Sequence, residues 1–171
     1  MKLLVRLVVC LWVGSGEVLA ETGRARLEAT DAISSLSGTV TLTETPEGLR
    51  VTAGVVEAPA GLHGFHIHQH GSCEDRGNAA GGHYNPTGAK HGFLPVDGPS
   101  GAHAGDLGNL EVGPNGSGTL TATLQGIALS GGPHSVAGRA VILHEKPDDF
   151  GQPTGNAGGR IACGVITIAE D

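Results

Sequence analysis

Alternating hydrophobic and polar residues recur along the chain and predict short β-strands. The alternating segments are 24–30, 37–43, 49–55 and 119–124. Because successive side chains of a strand point to opposite faces, each segment predicts a strand with one face in the core. Two apolar runs, 140–143 and 161–166, predict further strands.

Turn sequences separate these strands, and we find no amphipathic helix of useful length. Thr45-Pro-Glu-Gly48 and Pro114-Asn-Gly-Ser-Gly118 are typical of turns. Only 3% of the residues are aromatic, so the core has to be built from Val, Leu, Ile and Ala. About eight strands joined by turns predict an all-β fold, either a sandwich or a barrel.

Two irregular stretches, 71–104 and 146–159, interrupt the strand pattern. The first is rich in Gly, Pro, Asn and His, and histidines lie in or beside both. Loops of this length in a compact domain are usually functional or disordered. The chain has nine histidines, more than chance placement accounts for. We therefore predict two long functional loops.

The N-terminus has the pattern of an export signal. Lys2 and Arg6 precede a short apolar run at 7–13, and Val18-Leu-Ala20 offers a small-residue cleavage site. The run is much shorter than the roughly 20 residues that a membrane-spanning helix needs, so no stable membrane insertion is expected. We predict a signal peptide at 1–20 and one mature domain at 21–171, periplasmic or extracellular.

The net charge limits the classes of partner that the chain can bind, and the cysteine content bears on its cellular compartment. Without residues 1–20 the chain has 8 basic and 16 acidic residues, a net charge of −8, which argues against nucleic-acid binding. Two cysteines remain, Cys73 and Cys163. An even pair in an exported chain predicts one disulfide, and two unrelated buried thiols are the alternative.

The histidine pattern predicts a metal centre. His66 and His68 lie two residues apart in a predicted strand and therefore face the same side, while Phe65 and Ile67 face the core. The other candidate ligands are His83, His91, His103, Asp106 and His144. Zinc accepts His and Asp in tetrahedral sites, and copper accepts several imidazoles. The residues thus predict a His-rich copper site beside a zinc site of three histidines and one aspartate.

Six short motifs carry a resemblance to a known family. In chain order they are Gly-Phe-His-Ile-His (64–68), Gly-His-Tyr-Asn-Pro (82–86), Lys-His-Gly (90–92), His-Ala-Gly-Asp-Leu-Gly-Asn (103–109), His-Glu-Lys-Pro-Asp-Asp (144–149) and Gly-Asn-Ala-Gly-Gly-Arg-Ile-Ala-Cys-Gly-Val-Ile (155–166). Together they resemble the copper/zinc superoxide dismutase family, and the chain looks like a bacterial-type exported member. The resemblance implies an eight-stranded Greek-key β-sandwich or barrel.

The resemblance also implies the activity and the ligands. Superoxide would be converted to oxygen and hydrogen peroxide by a redox-cycling copper ion, with one copper and one zinc per chain. The implied copper ligands are His66, His68, His83 and His144. The implied zinc ligands are His83, His91, His103 and Asp106. The His83 imidazolate would bridge the two metals.

Further residues match the family's motifs. Asp148 matches an aspartate that hydrogen-bonds one histidine from each metal site, and Arg160 matches the arginine that guides the anion to copper. Cys73 and Cys163 match the family's disulfide. His63, His70 and His134 fit no ligand position and are interpreted as surface or packing residues.

Two departures from the animal branch leave questions open. Cys73 follows His68 by only five residues, as in many bacterial members, and the segment between His144 and Arg160 is short and lacks a Glu/Lys-rich run. Lys90 and Lys146 are therefore weaker candidates than Arg160 for steering superoxide, and a homodimer has no assigned interface. The alternatives are a copper-only relative, a metal-binding protein without turnover and a lectin-like β-sandwich.

Overall fold

The computed structural model describes residues 20–169, so all but one residue of the predicted signal at 1–20 lies outside the described part. The regular secondary structure of the described chain consists almost entirely of antiparallel strands. They are β1 (Thr22–Ala29), β2 (Ser37–Thr45), β3 (Gly48–Val56), β4 (Gly61–His68), β5 (Asp106–Val112), β6 (Gly118–Leu124), β7 (Ala140–His144), β8 (Arg160–Val165) and β9 (Thr167–Ile168). The helical content is a 3₁₀ turn, Asn78–Ala80, and one helix, α1 (Leu94–Asp97).

Eight of these strands close into a barrel, which confirms the predicted fold class. Their order is β2-β3-β6-β5-β4-β7-β8-β1, and β1 pairs back onto β2. Consecutive strands β3 and β4 are not neighbours, and neither are β6 and β7, so the connections cross as in a Greek key. The two-residue β9 pairs with β1.

The alternation of β3 shows why the chain folds this way. Leu49, Val51, Ala53 and Val55 are buried, while Arg50 between them is exposed. Burying the apolar face of each strand removes it from water, at about 25 cal/mol per Å². The core is almost wholly aliphatic, as the composition predicts.

The strand β4 from His63 onward and the whole of β7 are buried on both faces. In β4, Phe65 and Ile67 lie in the main core, and His66 and His68, which alternate with them, are buried on the opposite face. Every residue of β7 is buried. Because long loops cover the outer face of these two strands, polar side chains there are shielded from water.

Two of the loops are the predicted irregular stretches. The β4–β5 loop (69–105) crosses the outer face of the barrel and is tied to β8 by the Cys73–Cys163 disulfide, which rules out the alternative of two free thiols. The β7–β8 loop (145–159) lies beside it. A third long connection, the β6–β7 loop (125–139), is not predicted by the sequence. Within 20–169, no helix has the length and apolar character needed to cross a membrane.

Candidate metal centre

The structure gathers six histidines and one aspartate into two groups that share His83. The first group is His66, His68, His83 and His144. The second is His83, His91, His103 and Asp106. In each group, one nitrogen or oxygen atom per residue lies within 4.8 Å of all the others. The sequence-predicted ligands are thus all brought together.

Strand pairing fixes the first group. β4 pairs with β7 so that His66 lies opposite Ile142 and His68 lies opposite Ala140. His144, two residues after Ile142, is the last residue of β7. His68 also forms an isolated bridge with His83. At the other edge of β4, His66 lies opposite Asp106, the first residue of β5. The barrel therefore sets the spacing of the candidate ligands.

Three backbone hydrogen bonds join the segments that carry the two groups. The Ile67 N–H donates to Gly105 O, the Gly105 N–H to Tyr84 O, and the Tyr84 N–H to Ile67 O, at 2.9, 3.0 and 2.9 Å. A Cβ atom on Gly105 would collide with Ile67 O, so this position requires glycine. The closed ring of bonds fixes the residues next to His66, His83 and Asp106 relative to one another.

Arg139, which the sequence does not single out, extends this support. Its guanidinium carbon lies 3.5 Å from the centroid of the Tyr84 ring, a cation–π contact. Arg139 also donates to Gln69 O at 2.7 Å and to Ser135 O at 2.9 Å. The β6–β7 loop is thereby fastened to the residue that follows His83.

Each histidine of the first group that comes from a strand has one ring nitrogen occupied on its outer side. His66 Nε2 lies 2.8 Å from Asp148 Oδ2, His68 Nδ1 lies 2.9 Å from Gly81 O, and His144 Nδ1 lies 3.4 Å from Gly158 O. These oxygens accept, so the occupied nitrogens donate and the other nitrogen of a neutral ring carries a lone pair. His68 Nε2 and His144 Nε2 face each other at 3.2 Å. Such an arrangement is typical of metal-ligating histidines.

The second group converges on Asp106. Its Oδ1 lies 2.8 Å from His83 Nδ1, and its Oδ2 lies 2.9 Å from His91 Nδ1 and accepts from the Gly92 and His103 N–H groups at 3.0 Å. The Nδ1 atoms of His91 and His103 lie close to the Asp106 oxygens, but these contacts do not have the geometry of hydrogen bonds.

Within the part of the chain that the structure describes, three buried ring nitrogens have no hydrogen-bond partner: His66 Nδ1, His91 Nδ1 and His103 Nδ1. Buried polar atoms without partners are rare in folded proteins, and a bound cation is one explanation. The donor sets, four imidazoles and three imidazoles with one carboxylate, fit copper and zinc respectively. The residues present therefore fit both metals.

Asp148 connects the two groups, as the motif comparison implies. Its two oxygens lie 2.8 Å from His66 Nε2 and 2.9 Å from His91 Nε2. Asn109 holds the Asp148 backbone by a reciprocal pair: the Asn109 amide donates to Asp148 O at 2.9 Å, and the Asp148 N–H donates to Asn109 Oδ1 at 2.7 Å. The sequence does not identify Asn109 as a site residue, although it ends the motif at 103–109.

Burial keeps three histidines of the first group neutral. Burial, together with the neighbouring rings, lowers the pKa of His68 to about 2, of His83 to about 4 and of His144 to about 3. A neutral imidazole is the form that binds a metal.

Two anionic carboxylates lie among the rings: Asp106 in the second group and Asp148 between the two groups. Burial would raise the pKa of Asp106 and Asp148, but the surrounding histidine rings hold both well below the usual range. Burial would lower the pKa of His91, but the neighbouring carboxylates of Asp106 and Asp148 raise it to about 9.

The metal-free protein should lose stability in mild acid. The histidines with a lowered pKa stabilise the fold above their unfolded pKa of about 6.5, and that contribution disappears as the pH falls. Between pH 7 and 5 we expect a loss of about 2 kcal/mol for each of His68, His83 and His144, partly offset by His91. Urea unfolding at both pH values measures it. A free energy of unfolding that is the same at pH 5 as at pH 7 would contradict this description of the site.

Arg160 lies at the mouth of the first group. It lines a cavity of about 190 Å³ together with His68, His83 and His144. Its Nη2 donates to Gly81 O at 2.5 Å and its Nη1 to Gly77 O. Burial lowers its pKa, although from an ordinary value so high that it stays cationic. Among the described residues lining this cavity, Arg160 is the only charged side chain other than histidine.

The remaining histidines lie apart from both groups. His63 is buried, and its two ring nitrogens are each 2.8 Å from a carbonyl oxygen, one of Pro59 and one of His144. His70 is exposed and His134 is half-buried. None of these three belongs to a candidate metal group among the described residues.

Comparison with known proteins agrees with this geometry. A family profile described as copper/zinc superoxide dismutase (SODC) matches residues 36–166. The chain is 38% identical over 176 residues to the extracellular Cu-Zn superoxide dismutase of Caenorhabditis elegans, with 99% of this chain and 78% of that one covered. It is 43% identical over 141 residues to Cu-Zn superoxide dismutase 2 of Brassica juncea, covering 78% and 90% respectively.

A solved structure agrees as well. The crystal structure of the clock protein EA4 matches with a TM-score of 0.77 at 38% identity, covering 90% of this chain and 98% of that one. The named relatives come from an animal and a plant, and the bacterial-type assignment stays a prediction. Because the profile match runs from the start of β2 to the end of β8, with the loops that carry both groups, the chain belongs to the copper/zinc superoxide dismutase family.

Proposed function

We propose that the two groups bind one copper and one zinc ion per chain. The proposed copper ligands are His66, His68, His83 and His144. The proposed zinc ligands are His83, His91, His103 and Asp106. The observation that carries this proposal is the set of buried Nδ1 atoms of His66, His91 and His103, which lie inside the groups without hydrogen-bond partners.

Membership of the family gives the reaction. The chain is an oxidoreductase that dismutates superoxide to oxygen and hydrogen peroxide, with copper and zinc as cofactors. Copper, when bound, supplies the one-electron redox chemistry, and zinc, which has none of its own, tunes the shared His83 ring.

The chain's own residues supply orientation and charge. Asp148 holds one histidine ring of each group and so fixes their relative orientation. His83 lies with Nδ1 beside Asp106 and its ring centroid 4.1 Å from that of His66, so it can hold or release a proton between the two groups. Arg160 provides a fixed cation beside His68 and His144 for a small anion.

Replacing Arg160 with glutamine should lower the dismutation rate at low ionic strength about tenfold and weaken its dependence on salt. The net charge of the mature chain repels an anion, so a local cation has to attract it, and salt screens that attraction. The rate is measured over a series of salt concentrations, with metal content as the control. A rate at low ionic strength equal to that of the wild type would remove Arg160 from the mechanism.

Lys146 supports Arg160 less directly. Its Cδ lies 3.1 Å from where a Cβ of Gly158 would stand, and Gly158 lines the same cavity. Glu145 Oε2 lies beside the same glycine at 3.4 Å, which offsets the charge of the lysine. We therefore assign most of the local attraction to Arg160.

Crystals of the metal-loaded protein test the ligand assignment. Anomalous scattering at the copper and zinc absorption edges should give two separate peaks per chain. The copper peak should lie against His66 Nδ1, His68 Nε2 and His144 Nε2, and the zinc peak against Asp106. A copper peak at Asp106, or a single peak per chain, would contradict the assignment.

The chain is exported. The Cys73–Cys163 disulfide and the similarity to a relative named as extracellular support export. We propose that residues 1–20 are the cleaved signal and that 21–171 form the mature domain, in the periplasm or outside the cell. Fractionation followed by N-terminal sequencing tests both points, and an uncleaved N-terminus would contradict them.

We also propose that the mature protein forms a homodimer. Apolar side chains on the surface, such as Ile33 and Val96, are 94% and 74% exposed and offer contact area. Light scattering on the mature protein gives its mass. A mass of one chain at micromolar concentration would contradict the homodimer and leave the metal assignment unaffected.

A further inference from the structure

His91 lies in an irregular part of the β4–β5 loop, unlike the candidate ligands that lie in β4 and β7. The strand ladders hold the backbones of His66, His68 and His144. The backbone of His91 has no strand partner among the described residues. Its position therefore depends on whatever contacts the loop at this point.

The contact is made by one side chain of the β7–β8 loop. The Gln152 Nε2 donates to His91 O at 2.8 Å, and the His91 N–H donates to Gln152 Oε1 at 3.1 Å. One side-chain amide thus satisfies both backbone groups of His91, from 61 residues away in sequence. A reciprocal pair of this kind needs one donor and one acceptor on the same planar group, which the side-chain amide of Gln provides.

Two more residues of the β7–β8 loop reach the His91 ring. Asp148 Oδ1 lies 2.9 Å from its Nε2, and the Phe150 ring lies 19° from parallel with it at a centroid distance of 6.4 Å. The loop folds back tightly enough to do this because Gly155, with φ +76°, lies against Asp148 and His91 Nε2, where a Cβ would collide. One loop therefore contacts His91 on the backbone, the ring edge and the ring face.

We propose that Gln152 is a positioning residue of the zinc site, which fixes His91 from the β7–β8 loop and so controls how long zinc stays bound. The inference rests on the proposed zinc ligation by His91. Its physical basis is that His91 Nδ1 must point at the metal, and the direction of the ring follows from the backbone that Gln152 holds. The β7–β8 loop, which leads directly into Arg160 at the start of β8, is in this way coupled to the zinc site.

Zinc release from the copper- and zinc-loaded mature protein tests the proposal. Gln152→Met keeps the length of the side chain and removes both hydrogen bonds, and should release zinc to a chelating dye about tenfold faster. Gln152→Glu keeps the acceptor and loses the donor, and should release it about threefold faster. Gln125→Met, at an exposed glutamine on the end of β6, is the matched control and should release zinc at the wild-type rate.

A second readout separates positioning from general loosening of the loop. With cobalt(II) in place of zinc, the visible absorption bands report the ligand geometry. We expect the bands to change in Gln152→Met and to stay unchanged in Gln125→Met. Wild-type zinc release in Gln152→Met, or equal acceleration in Gln125→Met, would overturn the role of Gln152. A wild-type protein that binds copper and no zinc would instead contradict the ligand assignment itself.

Discussion

Replacing His144 with alanine should remove copper from the mature protein and lower its dismutation rate by at least about 100-fold, while zinc stays close to one per chain. His144 belongs to the first group alone, and its Nε2 lies 3.2 Å from that of His68. Losing a residue that merely supports a ligand commonly costs 10- to 100-fold in metal affinity or activity. Losing a ligand should cost more. Elemental analysis and an activity assay on the same sample measure both effects.

Asp106→Ala is the matched variant for the second group. Asp106 belongs to that group alone, and it is the anion on which His83, His91 and His103 converge. The variant should lose zinc and keep copper. If either substitution removed both metals equally, the division into two groups that share only His83 would be wrong.

Removing the disulfide should have the largest effect on stability. The Cys73–Cys163 bridge closes a loop of 90 residues, and in the chain-entropy model such a constraint stabilises the fold by about 4.6 kcal/mol. The double variant Cys73→Ser/Cys163→Ser should lose about that much free energy of unfolding. Urea unfolding without metals is the appropriate measurement, because bound metal would add its own stabilisation.

The same variant should also impair the site. Arg160 donates to the carbonyls of Gly77 and Gly81, both in the loop that Cys73 fastens to β8. A looser loop leaves the guanidinium less fixed, so the rate should fall while copper stays bound. A loss of stability below about 1 kcal/mol would show that the loop is held by its other contacts, and would contradict the entropic estimate.

Much of the fold could be predicted because alternation and burial have the same period in a strand. In β3 the apolar residues Leu49, Val51 and Val55 are buried and Arg50 between them is exposed, as the pattern requires. Alternation does not show that β4 and β7 are covered on both faces, since the cover comes from loops distant in sequence. The β6–β7 loop has no such pattern and was not predicted.

The candidate ligands could be found because histidines in motifs are rare and distinctive. Apart from Asp148, which the motifs indicate, the residues that support these ligands could not be found in the sequence. Asn109, Arg139 and Gln152 contact backbone groups or a ring face far away in sequence. The spacing of residues along the chain does not predict such contacts. Gln152 in particular lies in a stretch where the sequence departs from the motifs, so only the folded loop reveals its partner.

The central claim is that this chain turns over superoxide at a copper ion beside zinc, and one measurement tests it most directly. The purified mature protein is analysed for metals and assayed for inhibition of superoxide-driven dye reduction in the same preparation. We expect one copper and one zinc per chain, with dismutase activity that disappears when copper is removed and returns when it is restored. One copper and one zinc per chain without activity would contradict the account and indicate a metal-binding protein instead.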